Sequence, residues 1–178
     1  PSKYVNRLLS MNLGKEIGLP IKGEGKPVLR FPGDKGWSGL SLAQMAYGYE
    51  VAMTPLQILT FYNAVANDGV MVKPQFVKEI RDGSKLELKN EVEVLNKSIC
   101  SKKTIEKAKF MLEKVVEEGT ARNLKNLDFK IAGKTGTTQV GYGKSDSETK
   151  SNVKHQASFC GYFPADNPKY SCIVVVAA

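Results

Sequence analysis

IAGKTGTTQV, residues 131–140, is the stretch on which the reading of this chain turns. A short apolar start delivers Lys134, Thr135 and Gly136 in succession and continues into the β-branched Thr137 and Thr138. Such residues favour a strand, on which successive side chains alternate between faces. Lys134 and Gly136 then share one face, Thr135 and Thr137 the other. Gly136 lacks a Cβ and admits close approach by a second backbone. An ammonium, hydroxyls and unpaired N–H groups along one strand edge suit an extended peptide ending in a carboxylate. Three letters, K-T-G, also fit an ordinary edge strand running into a turn, so the surrounding segments have to decide.

Working outward, the chain from 129 onward reads as three strands, about 129–139, 155–163 and 169–177. They form an antiparallel meander, because the turn PADNP (164–168) is too short for a crossover. Cys160 and Cys172 lie symmetrically about Asp166 and are expected to be cross-strand neighbours. A disulfide fits that spacing, although free thiols packed in the sheet are preferred. Upstream, Ser101 precedes a helix over 102–118, with Ile105, Ala108, Met111, Leu112, Val115 and Val116 on one stripe and Gly119 as its stop. Val70–Ile80 and Lys85–Leu88 read as a peripheral β-hairpin across residues 81–84. Thr54-Pro55 starts a buried helix that Asp68-Gly69 ends. Thr54 and Gln57 are read as capping and a buried hydrogen bond. The connector 17–37 holds too many Gly and Pro for a long element, and Lys3–Leu13 reads as a short helix ending near Gly14. The loop 141–154 is polar and expected to be mobile. The pattern predicts an α+β fold.

With 178 residues, 42% hydrophobic and 25% charged, the chain can bury one core and is not disordered. It has no apolar run of membrane-spanning length and no signal-peptide pattern. The net charge of +8 comes from Lys residues scattered among Glu, which reads as a solvated helix face and not as a nucleic-acid surface. The three Cys and single His have no metal-ligand spacing, so no metal is expected.

Four segments together carry a family resemblance: GYEVAMTPLQILTFYNAVANDGVMVKPQFVKEI (48–80), EKVVEEGTA (113–121), IAGKTGTTQV (131–140) and HQASFCGYFPADNPKYSCIVVV (155–176). In that order they resemble the second half of the transpeptidase domain of class B penicillin-binding proteins, of the cell-division type. K-T-G is one of the three motifs of penicillin-binding proteins, with S-x-x-K and a Ser-x-Asn element. The resemblance implies a penicillin-binding or β-lactamase-like transpeptidase fold. It also implies a serine D,D-transpeptidase that cross-links peptidoglycan stem peptides in septal cell-wall synthesis and is acylated by β-lactams. The implied partners are the D-Ala-D-Ala end of a stem peptide, β-lactams and other cell-division proteins, with no cofactor. The implied location is the periplasmic, extracytoplasmic face of the inner membrane. Lys134, Thr135, Gly136, Thr137 and Thr138 are the implied substrate-binding and oxyanion residues. Lys134 would supply charge toward the substrate carboxylate, Thr135 and Thr137 would hydrogen-bond it, and the Thr137 N–H would be one of two oxyanion donors. Gln139 continues the strand along the groove.

Two elements of the family pattern are missing ahead of K-T-G. The only S-x-x-K strings, Ser147–Lys150 and Ser151–Lys154, follow it in a polar stretch without helical periodicity. Ser-x-Asn occurs once, at Ser10–Asn12, in a context resembling the segment downstream of the true motif. All three are read as coincidences. The chain is therefore expected to be the C-terminal portion of a single transpeptidase domain, residues 1–178, with the nucleophile and any membrane anchor lying upstream of Pro1. Alone it should be inactive and, with an uncovered strand edge, prone to self-association. Two alternatives stay open: a non-catalytic sensor or division-partner module, and a serine β-lactamase or carboxypeptidase.

Overall fold

The Thr54 hydroxyl accepts from the Gln57 N–H at 3.2 Å, and the Gln57 side chain accepts from the Thr54 N–H at 2.8 Å. This reciprocal pair satisfies two of the donors that a helix start leaves open, and it launches α3 (Pro55–Ala66). The computed structural model describes residues 1–139 and 154–177. They fall into two compact units, Pro1–Lys102 and Lys103–Ala178.

The first unit begins with α1 (Ser2–Ser10), which stops short of the expected Leu13. Asn12 takes a left-handed conformation (φ 62), its N–H bonds to Leu9 O at 3.0 Å, and the Leu13 N–H reaches Leu8 O at 3.1 Å. That is a left-handed helix terminus, a place Asn tolerates better than most residues. The Ser10–Asn12 string thus serves to end a helix. α3 ends similarly, with Asp68 at φ 51 and the Gly69 N–H on Ala64 O at 2.7 Å.

The connector 17–37 is irregular, as expected, apart from β1 (Val28–Leu29). After α2 (Ser41–Ala46), β1 pairs antiparallel with β2 (Val51–Ala52). The connector is held by Glu24, whose carboxylate accepts from the N–H groups of Ile17 at 2.5 Å and of Gly18 and Leu19 at 3.0 Å. These bonds, that from Leu19 foremost, hold its carboxyl below the usual range. Gln57 Nε2 donates to Gly25 O at 3.3 Å and ties the same stretch to α3.

The expected strand Val70–Ile80 does not form as one piece. β3 (Met71–Val72) pairs instead with β6 (Val94–Asn96), and Pro74, which lacks an N–H, separates it from β4 (Glu79–Asp82). β4 pairs with β5 (Lys85–Lys89) around the two residues Gly83 and Ser84, with Gly83 at φ 55. Every residue of this ribbon is exposed. Val5, Met45, Ala64, Val65, Met71 and Ile99 form the core of this unit.

α4 (Lys102–Glu117) leads into the second unit. Ile105 and Val116 are buried, but Met111, expected on the same stripe, is 60% exposed. Six residues after Ile105, it sits about 240° around the helix, beyond the covered face. Gly119 follows the helix end, though not as a left-handed cap. Its N–H and that of Ala121 both bond Val115 O at 3.1 Å, and a Cβ on Gly119 would lie 2.8 Å from that oxygen. Glycine is required here for close approach.

After a short 3₁₀ turn (Arg122–Leu124), β7 (Ala132–Gln139), β8 (His155–Phe163) and β9 (Tyr170–Ala177) form an antiparallel sheet in that order. β7 starts at Ala132, later than the expected 129. Phe129 packs on Phe163 with ring centroids 5.8 Å apart, and Phe163 packs on Tyr170 at 5.5 Å. The pairing Phe163↔Tyr170 sets Cys160 opposite Ile173 and Cys172 opposite Gly161. The two cysteines are therefore not cross-strand partners. The register is one residue off the symmetric pairing, so they fall on opposite faces. Both are free, Cys160 buried and Cys172 exposed. Burial, with a smaller contribution from Cys172, pushes the Cys160 thiol up to about 12.

Candidate functional site

The two ends of β7 are built differently. Ala132 and Gly133 are buried, and Gly133 faces Gly161 across the ladder. A Cβ on Gly133 would lie 2.4 Å from Phe159 Cζ and 2.7 Å from Cys160 O, and one on Gly161 would lie 2.4 Å from Ala132 O. Only glycines allow strands to lie this close. Tyr162, opposite Ala132, is fully buried, and desolvation pushes its hydroxyl up to about 12, helped by Glu113 of α4. Lys130 Nζ meets the Glu113 carboxylate at 2.6 Å, fastening the entry to β7 onto α4.

Beyond this clamp the strand opens to solvent. Lys134, Thr137 and Thr138 are exposed, while Thr135, Gly136 and Gln139 are partly covered. A Cβ on Gly136 would meet Ser158 Oγ at 2.7 Å. Among the described residues β7 pairs with β8 alone, so every second backbone group on its other side lacks a ladder partner. Lys134 Nζ donates to Thr135 O at 2.8 Å and lies 3.5 Å from Thr135 Oγ1. No carboxylate pairs with it among the described residues. The Thr135 hydroxyl also meets the Thr120 hydroxyl at 2.7 Å. The ammonium thus meets the Thr120–Thr135 hydroxyl pair, and Thr137 and Thr138 follow, exposed on alternate faces of the same open-edged strand. The set is rich in donors and contains no fixed anion, which is what a carboxylate-bearing extended ligand requires.

The five residues picked from the sequence, Lys134, Thr135, Gly136, Thr137 and Thr138, lie consecutively on this strand. Thr120 was not picked. It is 15 positions upstream, in a turn whose path back to the strand no local pattern reveals. Thr54 and Gln57 serve α3 as a capping box. Ser147 and Ser151 lie outside the described residues, as does most of the loop 141–154.

The model of the penicillin binding protein transpeptidase domain matches residues 1–178. Stage V sporulation protein D of Bacillus subtilis is 33% identical over 176 residues, covering 98% of this chain and 26% of that protein. Peptidoglycan D,D-transpeptidase FtsI of Buchnera aphidicola is 30% identical over 176 residues, covering 98% of the chain and 29% of that protein. Penicillin binding protein 3 of Mycobacterium tuberculosis, solved in complex with ampicillin, superimposes with a TM-score of 0.79 at 28% identity, over 99% of this chain and 40% of that one. The chain thus spans between 26% and 29% of the length of these two curated relatives.

Proposed function

We propose, from the premise that this chain belongs to the penicillin binding protein transpeptidase domain family, that it supplies the substrate-carboxylate strand of a peptidoglycan D,D-transpeptidase. The chain would be the C-terminal portion of one transpeptidase domain. The observation that carries this reading is the open edge of β7, where Lys134, Thr135, Thr137 and Thr138 follow a strand end locked by Gly133 and Gly161.

In the proposed reaction a serine from the remainder of the domain attacks the carbonyl of the D-Ala-D-Ala amide. The C–N bond breaks, the terminal D-Ala leaves with the proton, and an acyl ester remains. An amine on a neighbouring stem then attacks the ester, forms the cross-link and returns the proton to the serine. Lys134 places its charge toward the terminal carboxylate. Thr135 and Thr137 hydrogen-bond that carboxylate, and the Thr137 N–H helps to hold the oxyanion. Gly136 keeps the strand flat against the ligand backbone. β-Lactams would enter the same groove, as their carboxylate stands in for that of the terminal D-Ala. No helix among the described residues is long and apolar enough to cross a membrane. Since its cross-linking substrate is the cell wall, the site would work on the extracytoplasmic face.

The test is the second-order rate of acylation by a fluorescent penicillin in the complete enzyme, read beside a thermal melt. Lys134→Ala should slow acylation by about 10²–10³, while stability changes by no more than about 0.5 kcal/mol. An unaltered rate would remove Lys134 from the site. This chain alone should form no stoichiometric adduct.

A further inference from the structure

We infer that Thr120 is a positioning residue for this site, setting the direction in which the Thr135 hydroxyl donates. The inference rests on the carboxylate reading of β7 and deepens it. At 2.7 Å the two hydroxyls are at the usual O–H···O distance, and either can be the donor. Chemistry removes that freedom once an anion binds. Thr135 Oγ1 has one proton and two lone pairs. A ligand carboxylate can only accept, so it takes the Thr135 proton. Lys134, 3.5 Å away, can only donate and so cannot accept that proton instead. The 2.7 Å contact then survives only if Thr120 is the donor. A hydroxyl that accepts one hydrogen bond is polarised to give a stronger one.

Thr120 is fixed well enough for this task. The residues on either side of it, Gly119 and Ala121, both donate to Val115 O at 3.1 Å, and Ala121 is fully buried. The missing Cβ of Gly119 lets the turn fold back onto α4, and the β-branched Thr120 side chain has few rotamers to lose. The exposed hydroxyl contact competes with water in the open groove, and gains weight when a ligand excludes that water.

The experiment compares acylation of the complete enzyme by benzylpenicillin and by its carboxylate methyl ester, for Thr120→Val, Thr120→Ala, Thr120→Ser, Thr135→Val and the double variant Thr120→Val/Thr135→Val. With benzylpenicillin, Thr120→Val and Thr120→Ala should each slow acylation by about five- to tenfold, and Thr120→Ser should restore the rate. The ester keeps a carbonyl acceptor but loses the charge, so it should be less sensitive to Thr120, by about twofold at most. The double variant should be no slower than Thr135→Val alone, because Thr120 acts only through that hydroxyl. Melts should stay unchanged across the set. A normal rate for Thr120→Val beside a slowed Thr135→Val overturns this inference and leaves the carboxylate reading standing. Equal losses with the ester, or additive losses in the double variant, overturn it as well. Normal rates for both Lys134→Ala and Thr135→Val would overturn the carboxylate reading itself, and this inference with it.

Discussion

Residues 17–19 and β7 treat their backbone N–H groups in opposite ways. In the first, one carboxylate of the chain itself, Glu24, takes three successive donors. In the second, among the described residues, donors on one side of the strand have no ladder partner, and the nearby ammonium is spent on its own strand's carbonyl. Both are stretches of backbone that present N–H donors. The first is satisfied from within and holds a Gly-rich connector in place. The second is left open among the described residues and, under the proposed function, takes a carboxylate from outside. The lesson is that a donor-rich stretch is structural or functional according to whether the fold supplies its own anion.

Four measurements would break or sharpen that contrast. The largest effect on stability should come from Gly161→Ala, whose Cβ would lie 2.4 Å from Ala132 O and 3.0 Å from Gly133 Cα. Backbone atoms cannot yield as a side chain can, so urea unfolding should report a loss of about 3 kcal/mol. Acylation should fall with it, because the open half of β7 depends on the locked half. A variant with native stability would show that the clamp is dispensable.

Next comes Thr137→Val, which keeps shape and backbone N–H while deleting one hydroxyl. A hydrogen bond from a neutral donor to a charged acceptor suggests an acylation rate lowered by about tenfold, less than for Lys134→Ala. A loss larger than that of the lysine variant would reassign the main carboxylate contact.

Glu24→Gln tests the self-satisfied partner by pH. The folded carboxyl lies below its ordinary value of 4.5, so its stabilisation is fully present above that value and is lost as the pH falls through the folded one. The urea midpoint of the parent should exceed that of the variant at neutral pH, with the gap closing in acid. A gap independent of pH would mean that the charge is irrelevant to the connector.

The smallest effect is expected in the β4–β5 ribbon, where Leu88 is 48% exposed. Leu88→Ala should shift stability by at most about 0.5 kcal/mol and leave acylation untouched. A loss of acylation there would extend the functional surface well beyond β7.

Much of this was legible along the chain, for reasons particular residues make plain. Thr54, Pro55 and Gln57 mark the start of α3 because capping is settled within three residues. K-T-G was visible because a strand places consecutive letters on one edge. The helix over 102–118 was legible as an element, yet Met111 was assigned to the wrong side, since the width of a buried stripe depends on what covers it. The cysteine pairing failed by one position, because Lys169 lengthens the turn beyond PADNP: its N–H closes on Phe163 O at 3.0 Å. The sequence pattern runs one strand from Val70 to Ile80 through Pro74, and it foresees neither the break there nor the diversion of Met71–Val72 to β6.

The sequence by itself determined the local items: helix starts and stops, the three closing strands, and an edge that carries Lys134, Thr135 and Thr137. These follow from propensity, capping and alternation, whose range is a few residues. Only the tertiary structure decided which carboxylate meets Ile17, Gly18 and Leu19, how closely Gly133 and Gly161 approach, and that Thr120 comes to lie against Thr135. Those contacts join positions 5 to 28 residues apart, and distances of that kind are set by how elements pack.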